Sequence, residues 1–166
     1  GVHRAVTSFG AAALGGAVYA SGGYSGVPHA YNREGQSGEL WKLDPASQTF
    51  ELLSNGEPTQ GPALVSSTEA LIRVGGMRAR NARGQPDDIW SLDEVAAFSP
   101  ASKTWTSLPA LPKPRSSHAA ALIGNTLYVV GGWQLRGSPK SGSFADALLA
   151  LDLSTHIGQG SRQIAQ

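Results

Sequence analysis

The chain has 166 residues, a formal net charge of +1 and no cysteine, with 40% hydrophobic and 15% charged residues. This composition excludes long disorder, disulfides, thiolate zinc sites and cysteine nucleophiles, and it shows no basic cluster of the kind that marks a nucleic-acid footprint. No apolar run reaches the roughly 18 residues of a bilayer span, and 21 glycines with 10 prolines, in no collagen-like period, point to an all-β chain rich in tight turns.

From the N-terminus, "SFGAAALGGAVYASGG" (8–23) predicts two short strands joined at Gly15-Gly16. A polar loop over 24–38 leads to a third strand, "ELWKLD", ending at Asp44. The turn "PASQTF" closes on Phe50 and a fourth strand, "ELLS", follows. The order then repeats. "GPALVSSTEALIRVGG" (61–76) gives two strands with a turn near Thr68-Glu69, and a loop over 77–93 follows. Either "DIWSLD" (88–93) or "EVAAFS" (94–99) is the third strand here; the second fits the turn "PASKTW" and leaves Trp90 in the loop. After Trp105 comes the fourth strand, "TSLP". A third round runs from "SHAAALIGNTLYVVGG" (117–132), with its turn at Gly124-Asn125, through a loop over 133–146 to "ALLALD" (147–152). No aromatic residue follows, and "SRQIAQ" (Ser161–Gln166) reads as a weak fourth strand.

Each second strand ends on a glycine pair: Gly22-Gly23, Gly75-Gly76 and Gly131-Gly132, spaced 53 and 56 residues apart. A fixed period of this size is the signature of a repeat architecture. Glycine pairs at strand ends supply positive φ and allow a neighbouring backbone to come close. The strands before them read as continuous small or apolar runs, as strands buried on both faces do.

The pattern resembles the kelch repeat, and "SPASKTWTSLPALPKPR" with Arg115–Gly132 carries the best match. The resemblance implies an all-β fold: a partial propeller of three four-stranded antiparallel blades, over about 6–54, 60–109 and 115–166, in one unit spanning 1–166. Phe50 and Trp105 are expected to fill the wedge between neighbouring blades. Asp44, Ser99 and Asp152 are placed to cap the turns after the third strands. His118, at a strand start where the family often has histidine, reads as a structural hydrogen-bonding residue. Arg73 stands where Ala20 and Val129 stand in the other repeats, so burial would demand a carboxylate or carbonyl partner. His3 or Arg4 can stand in for Arg115 in the first repeat. Propellers have 4–8 blades, so three leave two broad apolar faces, to be covered by further blades or by a second copy that closes the ring.

In an up-down-up-down meander the three long loops (24–38, 77–93 and 133–146) emerge at one end, where binding function concentrates on rigid scaffolds. Tyr24, Met77 and Trp133 directly follow the glycine pairs and should be equivalent. Arg33, Arg78, Arg80, Arg83, Arg136 and Lys140 add positive charge, with Arg115 from the link before the third repeat. Aromatic residues with arginine make typical interface anchors. These residues are the expected binding set for a protein or peptide partner, including acidic peptides, which the family often binds at this end.

No metal-binding, phosphate-binding or triad spacing occurs, so no catalytic residue, metal or cofactor is expected, nor a nucleic-acid or membrane partner. The expected function is a protein-binding scaffold rather than an enzyme. The alternative is a fragment of a secreted or periplasmic carbohydrate-related kelch enzyme or a lectin-like propeller. The compartment is open.

Overall fold

The structure, a computed structural model, describes residues 5–157. Strands β1 (Gly10–Leu14), β2 (Ala17–Ser21), β3 (Glu39–Asp44) and β4 (Thr49–Asn55) form one antiparallel sheet in chain order. The second sheet repeats that order with β5 (Ala63–Ser66), β6 (Leu71–Val74), β9 (Val95–Ser99) and β10 (Thr104–Ser107). Between β6 and β9 the chain makes β7 (Met77–Ala79) and β8 (Ile89–Ser91), which leave the blade. The third sheet holds β11 (Ala119–Ile123), β12 (Thr126–Val130) and β16 (Leu149–Asp152). The all-β blade architecture expected from the repeats is present. "EVAAFS" supplies the third strand of the second blade, as its turn spacing required. The fourth strand expected over Ser161–Gln166 lies outside the described residues, as do His3 and Arg4.

Local chemistry fixes the turns. Asp44 Oδ1 accepts hydrogen bonds from the Ala46 and Ser47 amides, Ser99 Oγ from Ser102, and Asp152 Oδ1 from Ser154. These are the caps expected at the third-strand ends.

The glycine pairs join each blade to the next. Gly75 and Gly76 take φ of 54° and 109°, a region closed to most side chains. From that geometry the Gly75 amide donates to the Glu94 carbonyl in its own blade, and the Gly76 amide donates to the Arg115 carbonyl at the entry to the third blade. Gly22 and Gly23 do the same towards Glu39 and Thr59. The bridges Thr7–Tyr24, Gln60–Met77 and Ser116–Trp133 then set the correspondence between repeats. By that register Val6 and Thr59 occupy the positions equivalent to Arg115.

One residue further along, Ser8, Gly61 and Ser117 are also equivalent, and all three are left-handed, with φ of 55°, 60° and 53°. The Gly61 amide donates to the Ser8 carbonyl at 2.7 Å, and the Ser117 amide to the Gly61 carbonyl at 2.9 Å. This backbone collar crosses from blade to blade beside the innermost strands.

Two apolar clusters lie between blades. Ala17, Tyr19 and Leu40 of the first blade meet Leu64, Leu71 and Phe98 of the second. Ile72, Val74 and Val95 of the second meet Leu127 and Val129 of the third, closed below by Leu108, Leu111, Leu153 and Ile157. Trp105 is half-buried against the first cluster, 5.1 Å from the Phe98 ring, and its indole N–H reaches Ser54 Oγ of the first blade. It bridges blades as expected. Arg73 finds an aromatic partner, with its guanidinium 4.7 Å from the centre of the Trp105 ring, and the Glu94 carboxylate acts on it electrostatically.

Phe50 occupies the position equivalent to Trp105, yet it is 50% exposed. Among the described residues no blade precedes the first, and Val18 and Leu52 are exposed beside Phe50. On the third blade Ile123 and Val130 are exposed too.

Candidate functional site

The three long loops are more ordered than connectors need to be. Strand β14 (Arg136–Gly137) pairs with β8, and β8 with β7, so a three-stranded sheet stands on the rim across two repeats. Strands β13 (Trp133–Gln134) and β15 (Ser143–Phe144) make a second small ladder. Trp90, expected in an irregular loop, is the middle residue of β8, with Arg78 and Arg136 as its cross-strand partners.

Strand alternation sorts the side chains of this rim. Met77, Ala79, Ile89 and Leu135 point inward to a third apolar cluster. Arg78, Trp90 and Arg136 share the opposite face by their register, and the Arg80 guanidinium carbon sits 4.9 Å from the Trp90 ring centre. Buried polar groups lock the loops together. Gln36 accepts from the Ala79 amide and donates to the Met77 carbonyl. Asn81 donates to the Tyr31 carbonyl and accepts from the Asp88 amide. Ser91 Oγ bonds the Trp133 carbonyl and the Leu135 amide.

The expected binding residues therefore divide. Tyr24 is 3% exposed; its hydroxyl donates to the Ala30 carbonyl and accepts from Asn32, and burial pushes its pKa up. Arg115 is 0% exposed and lies inside the fold, not on the rim, with Nη1 donating to the Gly131 and Ala147 carbonyls. Its Nε and Nη2 have no hydrogen-bond partner among the described residues. Arg78 is held in a two-pronged ion pair with Glu94 and donates from Nε to the Pro58 carbonyl. Arg33 pairs with Glu34, which also accepts from the Arg83 amide. Arg80, Arg83 and Arg136 are exposed. Met77 is buried and Trp133 half-buried, and both line a cleft that composition did not reveal.

That cleft, of about 310 Å³, opens between the first loop and the β13 loop. His29 and Tyr31 face Trp133 and Pro139 across it, with Ser116 and Ser117 at its base. A second cleft of about 340 Å³ adjoins it, sharing His29 and Tyr31. The indole of Trp133 stacks on Phe144 at 4.3 Å, which fixes one wall. Among the described residues no group of three or more His, Asp or Glu could hold a metal, and no helix is long and apolar enough to cross a membrane.

His118, expected to make a structural hydrogen bond, has both ring nitrogens buried, with the Val74 backbone as their nearest polar partner and no well-formed hydrogen bond among the described residues. Burial, and secondarily the Arg115 charge, pull its pKa down to about 4, so the ring is neutral.

Comparison with known proteins agrees with this architecture. The family model described as the Kelch motif matches residues 114–141. Kelch-like protein 33 of Homo sapiens is 33% identical over 130 residues, 74% of this chain and 21% of the relative. Kelch-like protein 36 of Rattus norvegicus is 27% identical over 152 residues, 91% of this chain and 22% of the relative. Host cell factor 2 of Homo sapiens is 44% identical over 48 residues, 28% of this chain and 6% of the relative. The chain thus spans about a fifth of the length of the two Kelch-like relatives. The motif match, the relatives and three sheets built on one register place the chain in the kelch-repeat family.

Proposed function

We propose that the chain is a protein-interaction scaffold that presents the loop-bearing end of its kelch blades to a protein or peptide partner. The observation that carries this reading is the folded rim. Connections of 14–17 residues are longer than the joining of strands requires. Here two of them form their own sheets, and the three are pinned by the buried Gln36, Asn81 and Ser91 side chains. A surface ordered before contact loses less entropy when a partner binds. Arg80, Arg83 and Arg136 stand exposed around it, with Trp90 between two of them, and they suit the carboxylates of an acidic segment.

A photo-reactive amino acid at position 83 or 136, introduced into the protein in its native extract, tests this. Cross-links to a partner are expected from these positions and not from 46 or 101, in the turns at the opposite end. Cross-links formed mainly from 46 and 101 would overturn the reading.

A further inference from the structure

Charge is sorted across the loop-bearing end. The arginines lie on its outer flank, paired or stacked: Arg78 with Glu94, Arg33 with Glu34, Arg80 on Trp90. Among the described residues the two adjoining clefts have no Asp, Glu, Lys or Arg in their lining. Instead His29, Tyr31, Met77, Trp133 and Pro139 surround the inner one, with the Ser117 hydroxyl at its base. Its size, about 310 Å³, is in the range of sites that hold one compact group. A carboxylate entering it would lose water and meet no cation, which is costly. An aromatic or proline side chain would bury apolar surface against rings already held in place by the Trp133–Phe144 stack.

A second observation points to the same spot. Among the described residues five non-glycine residues have left-handed backbone: Ser8, His29, Gln48, Lys103 and Ser117. The repeat accounts for four. Ser8 and Ser117 belong to the collar, and Gln48 and Lys103 are equivalent positions in the third-to-fourth strand turns. His29 has no such counterpart, and it sits on the lip shared by both clefts. Unusual backbone of this kind is retained where surrounding structure enforces it and gathers at ligand-binding positions.

We infer that the cleft between His29–Tyr31 and Trp133–Pro139 is the anchor pocket of this end, and that it takes an uncharged aromatic or proline residue of the partner rather than a carboxylate. The inference rests on the proposed partner-binding role and specifies its chemistry: acidic residues, where present, flank the anchor on the arginine side and do not enter.

The chain contains a single methionine, Met77, on the cleft wall, so a ¹³C-methyl-methionine label reports from the site with one resonance. N-acetyl-tyrosinamide and N-acetyl-prolinamide are expected to shift that resonance in a saturable way, and N-acetyl-aspartate methylamide is not. Trp133→Ala should weaken the saturation at least about fivefold, and so should His29→Asp, an exposed change that spares the core if Trp133→Ala does not fold. An aspartate amide that shifts Met77 as strongly as the tyrosinamide would overturn the inference. So would unchanged tyrosinamide binding in His29→Asp. If no amide shifts Met77 while photo-cross-links still form from positions 83 and 136, the anchor assignment fails and the loop-end reading stands. If the amides bind but cross-links map to the opposite end, the loop-end reading fails, and the cleft keeps its preference for uncharged groups without being the partner's anchor.

Discussion

Replacing His118 with leucine should flatten the acid side of the stability profile. In the fold the imidazole is buried beside Arg115 with only weak support from the Val74 backbone, and its pKa is about 4 against an ordinary 6.5. The unfolded chain therefore takes up a proton first. Stability from the neutral ring is complete above pH 6.5 and is lost as pH falls towards 4. A gap of roughly 2.5 units, at about 1.4 kcal/mol per unit, puts this loss at about 3 kcal/mol. Exposed carboxylates held low by turn and ion-pair contacts, among them Asp44, Asp152 and Glu51, also lose stability in acid, so only the difference between proteins is diagnostic. The assay is urea unfolding of both proteins at about pH 7 and about pH 4.5, where most of the window has been crossed. The parent should lose about 2–3 kcal/mol more than His118→Leu. Parallel losses would refute the argument, because they would mean that the ring is protonated or partnered in the fold.

Two further outcomes follow from the blade geometry. Trp105→Ala, which removes the ring bridging two blades, should cost about 2–3 kcal/mol in urea unfolding, whereas Phe50→Ala at the equivalent but half-exposed position should cost about half as much; equal costs would contradict the greater exposure of Phe50. Gly76→Ala should cost about 1–3 kcal/mol, since the new methyl meets Thr59 Cγ2 and the Gln60 carbonyl, whereas at Gly84 nothing lies within 4 Å and only the φ penalty applies. Comparable thermal midpoints for the two alanine variants would refute the close-approach argument.

The blades were legible because their determinants are local and periodic. A glycine pair that must take positive φ, a capped Asp or Ser turn and an apolar run each recur at one spacing, and spacing alone selected "EVAAFS" over "DIWSLD". The rim was not legible as structure. Strands of two or three residues leave little pattern, and β14 pairs with β8 only because blades two and three stand side by side. Alternation in "MRAR" (77–80) does carry a signal, with Met77 and Ala79 on one face and Arg78 and Arg80 on the other; counting positive charge alone passed over it. Arg115 was misplaced for a related reason. A guanidinium usually marks a surface, but this one turns back to satisfy the Gly131 and Ala147 carbonyls inside the fold. The anchor cleft draws its walls from residues as distant as His29 and Pro139, so no window of sequence contains it.

The collar through Ser8, Gly61 and Ser117 gives the array a direction. Each link passes a proton donor backward and offers an oxygen forward, as amide-to-carbonyl bonds do along a helix. Two like ends cannot satisfy each other in this arrangement, so face-to-face pairing about a local twofold axis is incompatible with continuing it. Growth by additional units must keep one sense of rotation, each newcomer bringing a residue that tolerates a left-handed backbone to the same spot.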